Sequence, residues 1–319
     1  MDLALEMSKN LKAKNEQKVE IIIPTLNEES SIRELISDIR NFNCIAQNSI
    51  LVIDGGSTDK TVEICNEENV IVLQQRRKGK GSAMREAVDA TEADVIVFID
   101  GDGTYSVNDL NSLLEPVLSD KADMVVGSRV LGDREKGSIS KFNYLGNKLF
   151  NKTINFSLKT NVTDSLSGYR VLRREVFKDL ILFSDSFEIE VEMTVEALAK
   201  GYRVQEIPIK YGKRKESQTK LNPLSDGIKI SKTLLFITMN INPIKFFGLI
   251  TIGFFLIGLI PISQIVYEKI ILGNIISLPS VILATLLFVT GIMSLVIGLV
   301  SELVVRSRRR IEYLINHKN

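Results

Sequence analysis

The feature that most restricts the fold of this chain is a pair of long uncharged segments near its C-terminal end. Phe246 to Tyr267 has 22 residues without a charge, and Ile275 to Ser301 has 27. About 20 apolar residues in a helix are enough to cross the hydrocarbon core of a bilayer. The link between the segments is short and contains Glu268 and Lys269. We therefore expect a hairpin of two transmembrane helices within residues 244–305, and a hairpin buried in a soluble protein is the less favoured alternative.

Basic residues on both sides of this hairpin predict its orientation. They are Lys229, Lys232 and Lys245 before it and Arg306, Arg308, Arg309 and Arg310 after it. Because basic flanks stay inside the cell, the domain before the hairpin and the basic tail, residues 306–319, are expected in the cytoplasm. Residues 228–243 are expected to form an interfacial amphipathic helix with its lysines toward the headgroups. The predicted location is thus the cytoplasmic membrane, with the lipid bilayer as a partner.

The rest of the chain alternates short β-branched runs with helical patterns. Strands are predicted at residues 19–24, 50–53, 70–73, 95–99, 123–127 and 203–209. Helices are predicted at residues 30–40, 61–67, 82–90, 107–118, 141–158 and 187–199, with Ser57 or Thr58 capping the second of them. This alternation predicts an α/β fold with a mostly parallel sheet and helices on both faces. Residues 1–18 are mixed polar and are expected to form a flexible N-terminus rather than a signal peptide.

The fourth predicted strand ends in two acids separated by glycine. Val95 to Ile99 is apolar, and Asp100-Gly101-Asp102-Gly103 follows it directly. Parallel strands carry ligands at their carboxyl ends. Two neighbouring carboxylates suit a hard divalent cation that also holds a diphosphate. A turn that merely ends the strand explains this stretch equally well by itself.

Polar residues follow three further strand ends, at Pro24–Glu28, Asp54–Asp59 and Arg76–Gly81. A carboxylate such as Asp54 can accept a hydrogen bond from a nucleobase N–H or a ribose hydroxyl. Lys80 and its basic neighbours can approach a phosphate. The glycine-containing loop lacks the third glycine of a dinucleotide fingerprint and the Gly-Lys-Ser/Thr order of a Walker loop. The four strand ends together predict a nucleotide-binding site.

Composition excludes several other classes of protein. The net charge is +1, which gives no support for a nucleic-acid partner. Between Arg203 and Lys245, however, nine basic residues face three acids. Two cysteines give no disulfide framework, and the single histidine, His317, excludes a histidine triad or a histidine-ligated zinc.

Two helical segments have open interpretations. The amphipathic pattern at 141–158 fits a core-packing helix and a membrane-surface helix equally well. For Glu188, Glu190 and Glu192 we expect a solvated or locally paired helix face.

Four motifs, in this order and spacing, resemble family 2 glycosyltransferases of the GT-A fold. They are IPTLNEE at 23–29, DGGSTDKT at 54–61, KGKGSA at 78–83 and DGD at 100–102. Four later motifs resemble the dolichyl- and polyprenyl-phosphate sugar synthases of that family: GSR at 127–129, DSLSGYR at 164–170, EIPI at 206–209 and KL at 220–221. Segments 219–227 and 240–243 are most similar to archaeal members that begin an N-glycan on dolichyl phosphate. The resemblance implies a Rossmann-like GT-A catalytic domain at residues 19–227.

The chain departs from the family pattern at several positions. Gly55 stands where the family often has a second aspartate, and Thr104 stands where a glutamine often follows the metal motif. The segment from Arg214 to Lys220 is a residue or two longer than usual. Tryptophan is absent, so the signature of processive members is missing, which favours transfer of one sugar per turnover.

The resemblance implies an inverting, metal-dependent transfer of a sugar from a nucleotide sugar to dolichyl or polyprenyl phosphate for protein glycosylation. UDP-N-acetylglucosamine or UDP-glucose is the favoured donor, with GDP-mannose as the alternative. A nucleotidyltransferase and a non-enzymatic membrane scaffold are more remote alternatives, and a homo-oligomer stays open.

The resemblance also implies roles for individual residues. Asp100 and Asp102 would hold Mg²⁺ or Mn²⁺, and they form the catalytic set with Arg129 and Arg214. The donor would be bound by Pro24, Thr25, Asn27, Glu28, Asp54, Lys80, Gly81 and Asp100. The acceptor phosphate would be bound by Arg129, Lys141, Arg214 and Lys220, with Arg170 less favoured. For Arg129 the alternative is a surface salt bridge.

Overall fold

A computed structural model of the chain describes residues 17–42, 50–135, 138, 141–186, 188–214, 239 and 242–316, with only the backbone of 141–143, 308–309 and 312–316. Lys220, nearly all of the predicted N-terminal segment and most of the predicted interfacial helix lie outside the described residues. The chain divides into two compact units, Met1–Ile230 and Ser231–Asn319.

The first unit contains a seven-stranded sheet in the order β3-β2-β1-β4-β6-β5-β7. The strands are β1 Val19–Thr25, β2 Ile50–Asp54, β3 Ile71–Gln74, β4 Val95–Phe98, β5 Met124–Ser128, β6 Arg170–Arg173 and β7 Val204–Pro208. The pairs β1–β2, β1–β4, β2–β3 and β5–β7 are parallel. The predicted mostly parallel sheet is therefore confirmed.

The helices of the described residues cover both faces of the sheet. They are α1 Ile32–Asn41, α2 Thr61–Glu67, α3 Lys80–Ala90, α4 Leu110–Leu118, α5 Lys141–Leu158, α6 Arg174–Asp179, α7 Ile189–Ala199, α8 Pro243–Ile271 and α9 Leu278–Asn316. Successive strand residues point to opposite faces. Ile21 and Ile23 of β1 join the core that includes α1 and α4, and Ile22 joins the core that includes α3 and α7. Ile21 to Ile23 are thus buried between the two cores, which explains the apolar run in β1.

The sequence analysis missed β6, which lies between β4 and β5 and runs antiparallel to both. The segment Arg-Val-Leu-Arg at 170–173 is only four residues long, and a pattern that short has no reliable periodicity. Its partners, such as Val97 opposite Val171, are distant in sequence. This segment is a strand because it pairs with β4 and β5. The helix α6 follows it directly.

The second unit contains α8 and α9, which are long and apolar enough to cross a membrane. They pack against each other through glycines. A Cβ on Gly258 would lie 2.8 Å from the Phe288 ring, and one on Gly291 would lie 2.6 Å from the Phe255 ring. The Phe255 and Phe288 rings stack with their centroids 4.9 Å apart. Small residues at such a contact let two apolar helices approach closely where no hydrophobic effect drives them together.

Replacing Gly258 with leucine is expected to weaken this hairpin, because the new side chain would overlap the Phe288 ring. We expect the thermal midpoint of the purified protein in detergent to fall by several degrees, since overpacking costs about 1–3 kcal/mol. Gly253→Leu is the matched control, because a Cβ there meets nothing within 4 Å. Equal midpoints for the two variants would contradict this packing.

Candidate active site

The loops after β1 and β2 form one connected surface at the carboxyl edge of the sheet. The Asn27 backbone N–H donates to Ser57 Oγ at 2.9 Å, and Asn27 Oδ1 accepts from the Thr58 N–H at 2.8 Å. The Glu28 N–H donates to Thr61 Oγ1 at 2.8 Å. The predicted convergence of these two strand ends is confirmed. Pro24 and Thr25 are the last residues of β1 on the same edge.

Asp54 organises the turn that follows β2. Its side chain is buried, and its carboxylate accepts from the Gly56 N–H at 2.9 Å and from Ser57 Oγ at 2.5 Å. The cap prediction for α2 was wrong, because Asp59 Oδ1, rather than Ser57 or Thr58, accepts from the Thr61 N–H at 3.0 Å. The contact of Asp54 with a nucleoside stays a prediction.

The two carboxylates after β4 are held by different partners. Asp100 Oδ1 accepts from the Lys80 ammonium group. Asp102 Oδ1 accepts from the Thr104 N–H at 3.1 Å and from Thr104 Oγ1 at 2.7 Å. Thr104, where the family often has glutamine, is buried and fixes the conformation of Asp102. The other oxygen, Asp102 Oδ2, lies 3.9 Å from Arg214 Nε.

Arg214 joins a third carboxylate to this pair. Its Nη2 donates to Glu28 Oε1, from the loop after β1. Burial raises the pKa of Glu28 despite the hydrogen bond from Arg214, and the nearby charges of Asp102 and Asp100 raise it further. Three carboxylates thus converge around one guanidinium group, an arrangement in which positive charge is strongly favoured.

Lys80 is turned into the protein. Its ammonium group pairs with Asp100 and, at 2.6 Å, with Glu190 Oε1 on α7. Burial lowers the pKa of Lys80, but the two carboxylates outweigh that effect and raise the pKa above its ordinary value. A Cβ on Gly81 would overlap the Ser184 carbonyl, and the Gly81 N–H donates to Asp185 O at 3.0 Å. Lys80 and Gly81 thus bind other residues of the protein, and their contact with a donor stays a prediction.

For the acids of α7 we expected a solvated or locally paired helix face. The solvated alternative is wrong for Glu190 and Glu192, which are buried, while Glu188 is half-buried. Glu192 accepts from the backbone N–H groups of Phe183 and Ser184 at 3.0 and 2.8 Å. Both acids lie among apolar residues of α7, and that interleaving is the signal that could have indicated their burial.

Arg129 follows β5 and forms a two-pronged ion pair with Asp164. Its Nε and Nη2 each lie 2.8 Å from an Asp164 oxygen. Its Cζ lies 5.3 Å from the centre of the Tyr211 ring. Burial raises the pKa of Asp164, but the bonds from Arg129 outweigh it and hold that pKa below its ordinary value. The pair is buried, so the surface salt bridge considered for Arg129 is corrected to an internal one.

Other predicted acceptor residues have different surroundings. Arg170 is fully buried and donates to Ser167 O, Ser165 O and Thr194 Oγ1, which makes it a structural residue. Lys141 is the first residue of α5, with only its backbone described.

The described carboxylates supply two hard oxygen ligands for a divalent cation, at Asp100 and Asp102. Within the described ranges, no three His, Cys, Asp or Glu side chains form a metal-binding group. Asp100 and Asp102 supply hard oxygen ligands, and Asp102 Oδ2 lies 3.9 Å from Arg214 Nε. One or two carboxylates completed by substrate phosphates is the usual composition of a magnesium site. The residues present therefore fit a cation that arrives with a diphosphate.

Comparisons with known proteins show the family and the fold of this chain. Glycosyltransferase AglJ of Haloferax volcanii is 36% identical over 91% of this chain and 94% of its own length. The UDP-N-acetylglucosamine–dolichyl-phosphate N-acetylglucosaminyltransferase of Methanococcus voltae is 28% identical over 69% of this chain and 95% of its own. Glucosyl-3-phosphoglycerate synthase of Mycobacterium tuberculosis, crystallised with Mn²⁺ and UDP-glucose, has the same fold, with a TM-score of 0.58 and 21% identity over 72% of this chain and 82% of that one. The model of glycosyl transferase family 2 matches residues 20–181. Because that match spans half of the chain and the first relative nearly all of it, the chain belongs to glycosyl transferase family 2.

Proposed function

We propose that this glycosyltransferase moves one sugar from a nucleotide sugar to dolichyl or polyprenyl phosphate. The observation that carries the proposal is the group formed by Asp100, Asp102, Glu28 and Arg214 at the carboxyl edge of the sheet. This group combines ligands for a cation with a partly exposed arginine. The same chain carries two apolar helices that could bring it to a lipid substrate.

The donor is a nucleoside diphosphate sugar, with UDP-N-acetylglucosamine or UDP-glucose favoured. The name of the Methanococcus voltae relative supports the first of these. GDP-mannose is the alternative. The loops after β1 and β2, which are joined by hydrogen bonds and include Asn27 and Asp54, would surround the nucleoside. Asp100 would face the diphosphate.

Asp100 and Asp102 would hold Mg²⁺ or Mn²⁺. When bound, such a cation neutralises the charge that develops on the leaving nucleoside diphosphate. The protein's own contribution is to fix these carboxylates: Lys80 orients Asp100, and Thr104 orients Asp102. Neither carboxylate then needs to reorganise during the reaction.

The acceptor is a phosphate monoester, which is already anionic near neutral pH. It needs positioning cations rather than a strong general base. Arg214 is the best-placed described cation, because it stands beside Asp102 with its side chain 41% exposed. Arg129, Lys141 and Lys220 remain candidates. Direct attack of the phosphate oxygen on the anomeric carbon would invert its configuration.

We place the catalytic unit and the C-terminus on the cytoplasmic side of the cell membrane, following the basic flanks of the hairpin. The outer face of α5 supports contact with the bilayer, because Leu145, Leu149 and Phe156 are exposed there. The inner face carries the buried apolar residues Phe150 and Ile154 together with Asn147 and Asn151, which are buried and hydrogen-bonded. The helix therefore presents more apolar surface outward than an ordinary core-packing helix does.

The test is transfer by the purified full chain to dolichyl phosphate from labelled UDP-N-acetylglucosamine, UDP-glucose and GDP-mannose. We expect label in the lipid fraction with one donor, dependent on Mg²⁺ or Mn²⁺ and abolished by a chelator. Dolichol without its phosphate is the matched control and should take no label. The absence of lipid-linked label with every donor would refute the proposal. Family membership gives no support to a nucleotidyltransferase or a scaffold.

A further inference from the structure

One oxygen of the buried Glu190 side chain has no hydrogen-bond partner among the described residues. Glu190 is 2% exposed, and its Oε1 is paired with Lys80 at 2.6 Å, while Oε2 is buried and unpartnered. A buried polar oxygen without a partner destabilises a fold. Such an atom near a catalytic centre is a good indication of a ligand that completes its hydrogen bonds.

Lys80 connects this carboxylate to the metal motif. Its ammonium group contacts both Glu190 Oε1 and Asp100 Oδ1. Lys80 therefore forms ion pairs with both acids at once. Because Oε1 is fixed by that ion pair, the orientation of Oε2 is fixed as well. Glu190 is therefore a preorganised hydrogen-bond acceptor. Only the Lys80 side chain separates it from Asp100, which would face the donor diphosphate.

Two serine hydroxyl groups in the segment just before β6 also lack a hydrogen-bond partner in the described part of the chain. Ser165 Oγ and Ser167 Oγ are buried and have no partner among the residues that the structure describes. Arg170 holds both serines, donating to Ser165 O at 2.6 Å and to Ser167 O at 2.8 Å.

Arg170 also connects the segment of these two serines to α7, the helix that contains Glu190. Arg170 Nη1 donates to Thr194 Oγ1 at 2.9 Å, and Thr194 lies one turn beyond Glu190 on α7. The adjacent Gly168 lies against the metal motif, since a Cβ there would be 2.7 Å from Asp100 Oδ2. Glu190 is thus linked to Asp100 through Lys80, and Ser167 is next in the chain to Gly168, which lies against Asp100.

We propose that Glu190 binds hydroxyl groups of the donor's sugar, that Ser165 and Ser167 line the same subsite, and that this subsite selects the sugar. The inference rests on the proposed donor class, a nucleoside diphosphate sugar. A carboxylate accepts hydrogen bonds from hydroxyls, and serine hydroxyls can donate or accept. A buried polar site of this kind discriminates strongly, because a sugar lacking the matching hydroxyl leaves the protein group unpaired.

The test measures binding without any lipid acceptor, so failure of transfer to dolichyl phosphate does not obscure it. Calorimetry with Mn²⁺ compares UDP with UDP-N-acetylglucosamine and UDP-glucose, and GDP with GDP-mannose, on the full chain. For the wild type we expect at least one nucleotide sugar to bind more tightly than its free nucleotide. Glu190→Gln should weaken the binding of that nucleotide sugar about tenfold, or about 1.4 kcal/mol, since a neutral amide oxygen is a weaker acceptor than a carboxylate.

Two further variants separate the subsite from a general disturbance. Ser167→Ala should weaken the binding of the nucleotide sugar about threefold, and in both variants the affinity for the free nucleotide should fall by less than the affinity for the nucleotide sugar. Glu192→Gln is the matched control, because this second buried acid of α7 contacts the backbone of Phe183 and Ser184 instead.

Several results would overturn the inference. One is an equal loss of affinity for nucleotide and nucleotide sugar in Glu190→Gln and Ser167→Ala. Another is an unchanged preference for the sugar in both variants. A wild type that binds each sugar nucleotide no better than its free nucleotide would overturn it as well.

Discussion

Replacing Asp102 with asparagine is expected to lower the turnover of sugar transfer by about a thousandfold, while the protein still folds and inserts. Asparagine has the same shape, and its side-chain oxygen can still accept from the Thr104 N–H and hydroxyl. What disappears is the negative charge that would hold a divalent cation at Oδ2. Turnover with dolichyl phosphate and the active donor measures the loss.

A second measurement on Asp102→Asn separates cation binding from other causes. Mn²⁺ should increase the affinity of the wild type for the free nucleotide, and the variant should lose this increase. Asp89→Asn is the control, because Asp89 is an exposed acid on α3, away from the strand ends. Near-normal turnover of Asp102→Asn would mean that the cation is held elsewhere.

Replacing Arg170 with methionine is expected to destabilise the first unit by about 3 kcal/mol or more. Burial lowers the pKa of Arg170 to about 10, so its guanidinium group remains charged at neutral pH. Methionine fills much of the space but leaves two carbonyls and the Thr194 hydroxyl without their donor. For a unit of this size the thermal midpoint should fall by roughly 6–12 °C.

Arg173→Met is the matched control for that experiment. Arg173 belongs to the same strand, β6, and pairs with the exposed Asp120. Such an ion pair contributes at most about 1 kcal/mol. Thermal unfolding of the full chain in detergent, followed by circular dichroism, compares the two variants. Equal midpoints would show that the bonds of Arg170 do not stabilise the fold.

The strand ends could be predicted because they depend on local pattern. An apolar β-branched run that stops at Pro24 or Asp54 predicts both a strand and the edge at which its loop lies. The uncharged lengths of α8 and α9 likewise follow from hydropathy alone. Family motifs then connected these edges to sugar transfer, and the family assignment is confirmed.

Partners distant in sequence could not be predicted in this way. Lys80 looked like a phosphate ligand because it stands among glycines, yet its ammonium group lies between Asp100 and Glu190. Nothing near Glu190 in the chain indicates that a lysine from α3 will neutralise it. The expectation of a solvated or locally paired helix face was therefore wrong for this acid, whose partner comes from another helix.

The sequence by itself determined six of the seven strands, which of these end in acids, and which segments can cross a bilayer. Each of these depends on the order of neighbouring residues, through periodicity, turn chemistry and length. Only the tertiary structure decided that β6 enters the sheet antiparallel, that Thr104 holds Asp102, and that Arg129 is paired with Asp164. The physical reason is that a buried charge or hydrogen-bonding group must be satisfied by whatever the packed fold brings beside it, and that partner is chosen by contact in space.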